Sequence, residues 1–153
     1  MPRVFIEALL PDVTPRDAFA RVTDFTQYPQ HAPHVRAVEV EQSLLPHTLA
    51  SHWEVDFRNG TLTWSEQDEL DHDGMTARFT QLQGDFDTFT GGWRVLPAAA
   101  GARVQFSAEF DFGVASLAPL LDPLAQRTLE DNVQTIMESL FAGARILCKP
   151  SHP

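Results

Sequence analysis

Cysteine is almost absent from this 153-residue chain: Cys148 stands alone, so no disulfide can form within it. That suits a reducing compartment. Positive charge is also scarce. Eleven lysines and arginines face 21 aspartates and glutamates, for a formal net charge of −10. Such a surface repels phosphate backbones and anionic lipid, so neither nucleic acid nor an acidic membrane is an expected partner. No apolar run is long enough to span a bilayer, so no stable membrane insertion is expected. The opening MPRVFIEALLPDV has one arginine and a short apolar run broken by Glu7, a poor export signal. A cytoplasmic location is therefore the expectation. Repeats, low-complexity tracts and separating linkers are missing. So are a glycine-rich phosphate loop, a Ser/His/Asp order and a Cys/His pair.

What is present is ordinary globular composition, 43% hydrophobic and 21% charged, in a length that suits one domain. Residues 1–148 read as that domain and 149–153 as a loose tail. The pattern predicts a strand over about 3–10. Thr14 then looks like an N-cap, with Pro15 at the first helical position and Asp17 two further on. A short helix should run to about Asp24. Tyr28-Pro29 and Ala32-Pro33 allow only a second short helix and a loop.

From Val35 the period becomes two. Val38 and Val40 alternate with glutamates, and Trp53, Val55 and Phe57 alternate with His52, Glu54 and Asp56. Asn59-Gly60 signals a hairpin turn. Further strands follow at 61–70, 75–83 and 86–96, and a last one carries Val104, Phe106, Ala108 and Phe110. Asp122-Pro123 then reads as an N-cap pair. Leu129, Val133, Ile136, Met137, Leu140, Ala144 and Leu147 follow at helical spacing. That helix would run about 25 residues, roughly 37 Å. The fold class expected is α+β: a bent antiparallel sheet of about seven strands wrapped around a long C-terminal helix, with two short helices after the first strand. One helix cannot fill such a concavity, so an aromatic-lined pocket should remain.

Several strings in this order resemble the helix-grip (Bet v 1-like, START-like) superfamily, and within it the polyketide cyclase/aromatase and Coq10-like branch. They are Asp24-Phe25-Thr26-Gln27-Tyr28-Pro29, Asn59-Gly60 with Trp64, Gly84-Asp85-Phe86 with Gly92-Trp93, and Glu109-Phe110-Asp111. Asn132 falls in the long helix where related cyclases carry asparagine. The resemblance implies a pocket for a flat lipophilic molecule such as a polyketide chain or a quinone. It implies no cofactor, and it suggests an acyl carrier protein that could deliver the chain. It also implies an arginine in the strand after the hairpin, and a polar residue before Glu109. Here that strand reads Ser65-Glu66-Gln67-Asp68, and Ala108 precedes Glu109.

Glu66 shares strand parity with Leu62 and Trp64. It is either a desolvated acid–base group in the pocket or a rim residue. Gln81, on the parity of Phe79, would orient a ligand carbonyl or bond to backbone. Tyr28 presents a hydroxyl to the pocket or caps the core. His31 and His34 flank the same loop, and either could move protons near neutral pH or stand solvated. Their spacing lacks a third ligand, so no metal is expected. Trp64, Phe79, Trp93, Phe106 and Phe110 are the expected aromatic lining, with Ile136 and Met137 from the helix. Asn132 either bonds the ligand or ties helix to sheet. Two functions fit: a cofactor-independent cyclase promoting aldol-type ring closure, or a non-catalytic carrier for a quinone or similar molecule. A pocket filled by its own side chains, with no ligand, is the third option.

Overall fold

A computed structural model describes residues 2–57, 60–113 and 118–148. Strand β1 (Arg3–Pro11) leads into helix α1 (Pro15–Thr23). The Thr14 hydroxyl accepts the Asp17 N–H at 3.1 Å, as an N-cap should. A single 3-10 turn and the four-residue helix α2 (Tyr28–His31) follow. Then come β2 (Val35–Gln42), β3 (Thr48–Phe57), β4 (Gly60–Asp71), β5 (Thr76–Gly84), β6 (Thr88–Ala98) and β7 (Gly101–Asp111). Helix α3 (Ala118–Leu140) and a short strand β8 (Arg145–Cys148) close the chain.

Among the described residues the strands form one eight-stranded sheet in the order β2-β3-β4-β5-β6-β7-β1-β8. Every neighbouring pair is antiparallel. The meander from β2 to β7 follows from period-two patterning. In β7, for example, Ala102, Val104, Phe106, Ala108 and Phe110 are all buried, while their neighbours are not. These side chains meet Leu129, Val133, Ile136 and Met137 of α3 in one core. No helix among the described residues is long and apolar enough to cross a membrane.

Three expectations need correction. The sheet has eight strands, not about seven, because the end of the predicted helix is β8. Helix α3 stops at Leu140, and Gly143, at φ +77°, turns the chain back so that Ala8 and Leu9 of β1 pair with Ile146 and Arg145. The helix also begins at Ala118, so Pro123 lies inside it and does not open it. Pro119, at the second helical position, is where a first-turn proline is tolerated. In the expected hairpin turn, Asn59 lies outside the described residues, as does the 149–153 tail.

Candidate functional site

The concave face of the sheet and one stripe of α3 enclose a cavity of about 70 Å³. Its wall is aromatic: Phe25 and Tyr28 from the α1–α2 segment, Trp53 from β3, Trp64 from β4, and Phe79, Phe89, Trp93 and Phe106 from β5 to β7. Leu129, Asn132, Val133 and Ile136 close it from the helix. Trp53 and Trp64 stand opposite one another in the β3–β4 register and lie nearly parallel, with centroids 5.8 Å apart and planes at 2°. Their position depends on Gly84. This residue pairs with Trp64 across a β-bulge, at φ +150°, and a Cβ there would fall 2.4 Å from the Trp64 Cβ.

The polar end is built by β3 and β4. Residues two apart on a strand share a face, so Trp64, Glu66 and Asp68 point into the cavity in succession. Glu66 and Asp68 are almost fully buried. The Trp64 indole N–H donates to Glu66 Oε1 at 2.7 Å. The Ser51 hydroxyl donates to Asp68 Oδ2 at 2.5 Å and accepts the Trp53 indole N–H at 2.8 Å. The two carboxyl groups also hydrogen-bond one another. Burial, reinforced by that bond and by the charge of Asp68, pushes Glu66 well above its ordinary range. Burial raises Asp68 too, opposed by the bonds from Glu66 and Ser51. Both shifts favour the protonated form, more strongly on Glu66. Such a pair can give a proton at one oxygen and take one at another.

Of the expected site residues, Glu66, Tyr28, His34, Trp64, Phe79, Trp93, Phe106, Asn132 and Ile136 line the cavity. Tyr28 does so with its ring. Its hydroxyl donates to the Val22 carbonyl, away from the cavity. Burial, then the charges of Glu66, Asp68 and Asp24, raise its pKa well above the usual phenol value. His34 is half-buried, and its Nε2 has no protein partner. Burial lowers its pKa, with Asp56 opposing, so the ring is neutral. Asn132 ties helix to sheet, its amide donating to the Asp56 carbonyl at 3.2 Å.

Three expected residues fall outside the lining. Gln81 donates its amide to the Phe86 carbonyl at 2.9 Å and so caps the β5–β6 turn. Phe110 is fully buried between Phe86 and Phe112. Met137 is buried in the helix–sheet core, one position past the pocket-facing Ile136. The sequence reading missed Asp68, Ser51 and Trp53. Asp68 carries the same parity that places Glu66, and Ser51 the parity of Trp53 and Val55. Among the described residues no group of three or more histidine, cysteine or acidic side chains could hold a metal.

Comparison with known proteins places this geometry. Residues 11–137 match the family described as polyketide cyclase / dehydrase and lipid transport. The chain belongs to that family. Solved structures similar to this member of the polyketide cyclase family are of low sequence identity and speak for the fold alone. The protein TTHA0849 from Thermus thermophilus is 24% identical, with a TM-score of 0.82, over 91% of this chain and 94% of that one. The Zhui aromatase/cyclase from Streptomyces sp. R1128 is 18% identical, with a TM-score of 0.68, over 88% and 86%. Major latex-like protein 151 from Panax ginseng is 11% identical, with a TM-score of 0.70, over 92% and 96%. No curated protein sequence matches significantly.

Proposed function

We propose that this protein binds a flat hydrophobic carbonyl compound between sheet and helix and promotes its aldol-type ring closure. The observation that carries the reading is the buried Glu66–Asp68 pair at the polar end of an aromatic cavity. In this mechanism Glu66 gives its proton to the electrophilic carbonyl oxygen as the new C–C bond forms. Asp68 takes the proton from the α-carbon that attacks. The pair ends with as many protons as it began with, and transfer between the two carboxyls resets it. The aromatic walls hold the chain folded and exclude water, which is much of what such a reaction needs. The Trp64 indole N–H fixes the Glu66 oxygen, and His34 Nε2 is free to orient a second ligand oxygen. An acyl carrier protein delivering the substrate belongs to this proposal.

The test is the Glu66→Gln variant in a cyclisation assay on a poly-β-keto substrate, with flat polyphenol binding followed by tryptophan quenching. Ring closure should fall by about 10²- to 10⁴-fold, the usual contribution of a positioned acid or base, while polyphenol binding persists. Unchanged rate and product with intact binding would remove Glu66 from the mechanism. That outcome would favour a carrier for a quinone-like molecule, a reading that the lack of arginine among the described lining residues also supports.

A further inference from the structure

The face of the sheet turned away from the cavity carries a second hollow, of about 260 Å³. Strand alternation builds it. Val4, Ile6, Ala77, Phe79, Trp93 and Phe106 are buried on the concave side, so Phe5, Thr76, Arg78, Gly92, Arg94 and Ser107 face outward. Arg78, Gly92, Ser107 and Phe5 stand in one row across β5, β6, β7 and β1. Gly92 puts no side chain into that row, and the position demands glycine: a Cβ there would fall 2.7 Å from the Ala77 carbonyl oxygen. The gap it leaves is the floor of the hollow. One row over, Thr76 stands opposite Arg94. Arg78 and Arg94 are therefore diagonal neighbours, roughly 7–8 Å apart. Both are exposed.

These two arginines lack a counter-charge. Neither makes an ion pair or a side-chain hydrogen bond with a described residue, and the residues outside the description include no aspartate or glutamate. Glu69 stands opposite Arg78 on β4, on the side away from the hollow and beyond ion-pair distance. Glu7, at the other end, is held by Gln105 and Arg103. No carboxylate is among the described residues that line the hollow. Two unbalanced cations side by side repel one another and attract an anion. The hydroxyls of Thr76 and Ser107 are uncommitted too, with no partner among the described residues. Two guanidinium forks and two hydroxyl donors match the charge and three terminal oxygens of a phosphate better than the single charge of a carboxylate. At about 260 Å³ the hollow holds more than a phosphate group, and the half-buried Phe5 ring ends its row as an apolar wall. From this arrangement we infer that the convex hollow is a second binding site, for a phosphate monoester. Its phosphate sits between Arg78 and Arg94, and its organic part lies over Gly92 toward Phe5. The site is on the other face of the strands that wall the cavity, so its ligand is independent of the reaction proposed above.

The experiment titrates the full chain with phenyl phosphate, inorganic phosphate and benzoate, followed by calorimetry and by backbone amide chemical shifts. Phenyl phosphate should bind, and should move the amides of Thr76, Arg78, Gly92, Arg94 and Ser107 more than those of Trp53, Trp64 and Asn132, which line the cavity. Arg78→Gln and Arg94→Gln should each weaken it at least about tenfold, the worth of one hydrogen bond to a charged group. Arg16→Gln removes an equal charge from helix α1 and should leave the affinity unchanged, as should Glu66→Gln. The two arginines have no partner among the described residues to lose, so native melting curves are expected of their variants. Phenyl phosphate that does not bind, that binds all variants equally, or that shifts the cavity amides instead overturns the inference. Inorganic phosphate or benzoate bound as tightly as phenyl phosphate overturns the assignment to a phosphate monoester. None of these outcomes touches the cyclase reading, which the Glu66→Gln cyclisation assay decides separately.

Discussion

Glu66 shows how far a single position is legible. Strand parity with Leu62 and Trp64 places it on the concave side, and the structure buries it there. The same parity reaches Asp68, yet two carboxylates on one apolar face contradict the rule that charges stay outside. The contradiction eases only when Ser51, from the adjacent strand, and the upward shift that burial gives both carboxyls are in view, and neither is visible in one strand's sequence. The pair has a cost for folding that pH should expose. Glu66 is raised above its ordinary value of 4.5 in the folded chain, so its stabilising contribution is fully present below that pH and is lost as pH rises through the folded value. Asp68 is raised too and gives a slope of the same sign. Glu66→Gln removes the larger part. Its melting temperature should exceed that of the parent at pH 8, by about 2–4 °C for each kcal/mol relieved, and should vary less with pH. Thermal melts of both proteins from pH 4 to pH 9 check this, and parallel curves would refute it.

At the scale of the element, strands are easier to read than helix ends. Alternation and Gly-containing turns locate β2 to β7 because each strand buries one face only. Periodicity starts the long helix too late and carries it too far. Ala144 and Leu147 keep helical spacing by coincidence, and Gly143 at φ +77° is the stop that periodicity hides. The β5 bulge is equally hidden, although it sets the site. Leu82 is the extra residue between the Glu66–Gln81 and Ser65–Gln83 pairs, and it brings Gly84 beneath Trp64. Gly84→Ala should therefore do two things. A Cβ in this backbone conformation, 2.4 Å from the Trp64 Cβ, should cost about 1–3 kcal/mol, read by denaturant titration. It should also displace the Trp64 ring and weaken its bond to Glu66, changing the near-ultraviolet dichroism of the native state. A loss of stability with an unchanged tryptophan spectrum would show that the bulge does not position the indole.

For the whole molecule, the question is how a ligand enters. The cavity measures about 70 Å³, whereas sites for drug-sized molecules usually run to about 300–1,000 Å³. A two-ring substrate must therefore move part of the wall. The strands β3 to β7 are hydrogen-bonded on both edges and form one continuous sheet, so their backbone is the last to yield. The other wall is weaker. Helix α2 is four residues long, and the loop after it carries His34. Beyond the turn bonds within the segment, its fastenings are the Tyr28 hydroxyl on the Val22 carbonyl and the Asp56 amide on the His34 carbonyl at 2.7 Å. Segments held by so few bonds open locally, well below the free energy of global unfolding. Amides of residues 28–35 should thus exchange hydrogen at least about tenfold faster than those of β3 and β4 in the free protein, and should slow on ligand binding. Tyr28→Phe keeps the ring and removes the fastening, so it should speed both exchange in this segment and ligand association, followed by stopped-flow tryptophan quenching. Protection confined to α3, with an unchanged association rate in the variant, would place the entrance at the other side of the grip.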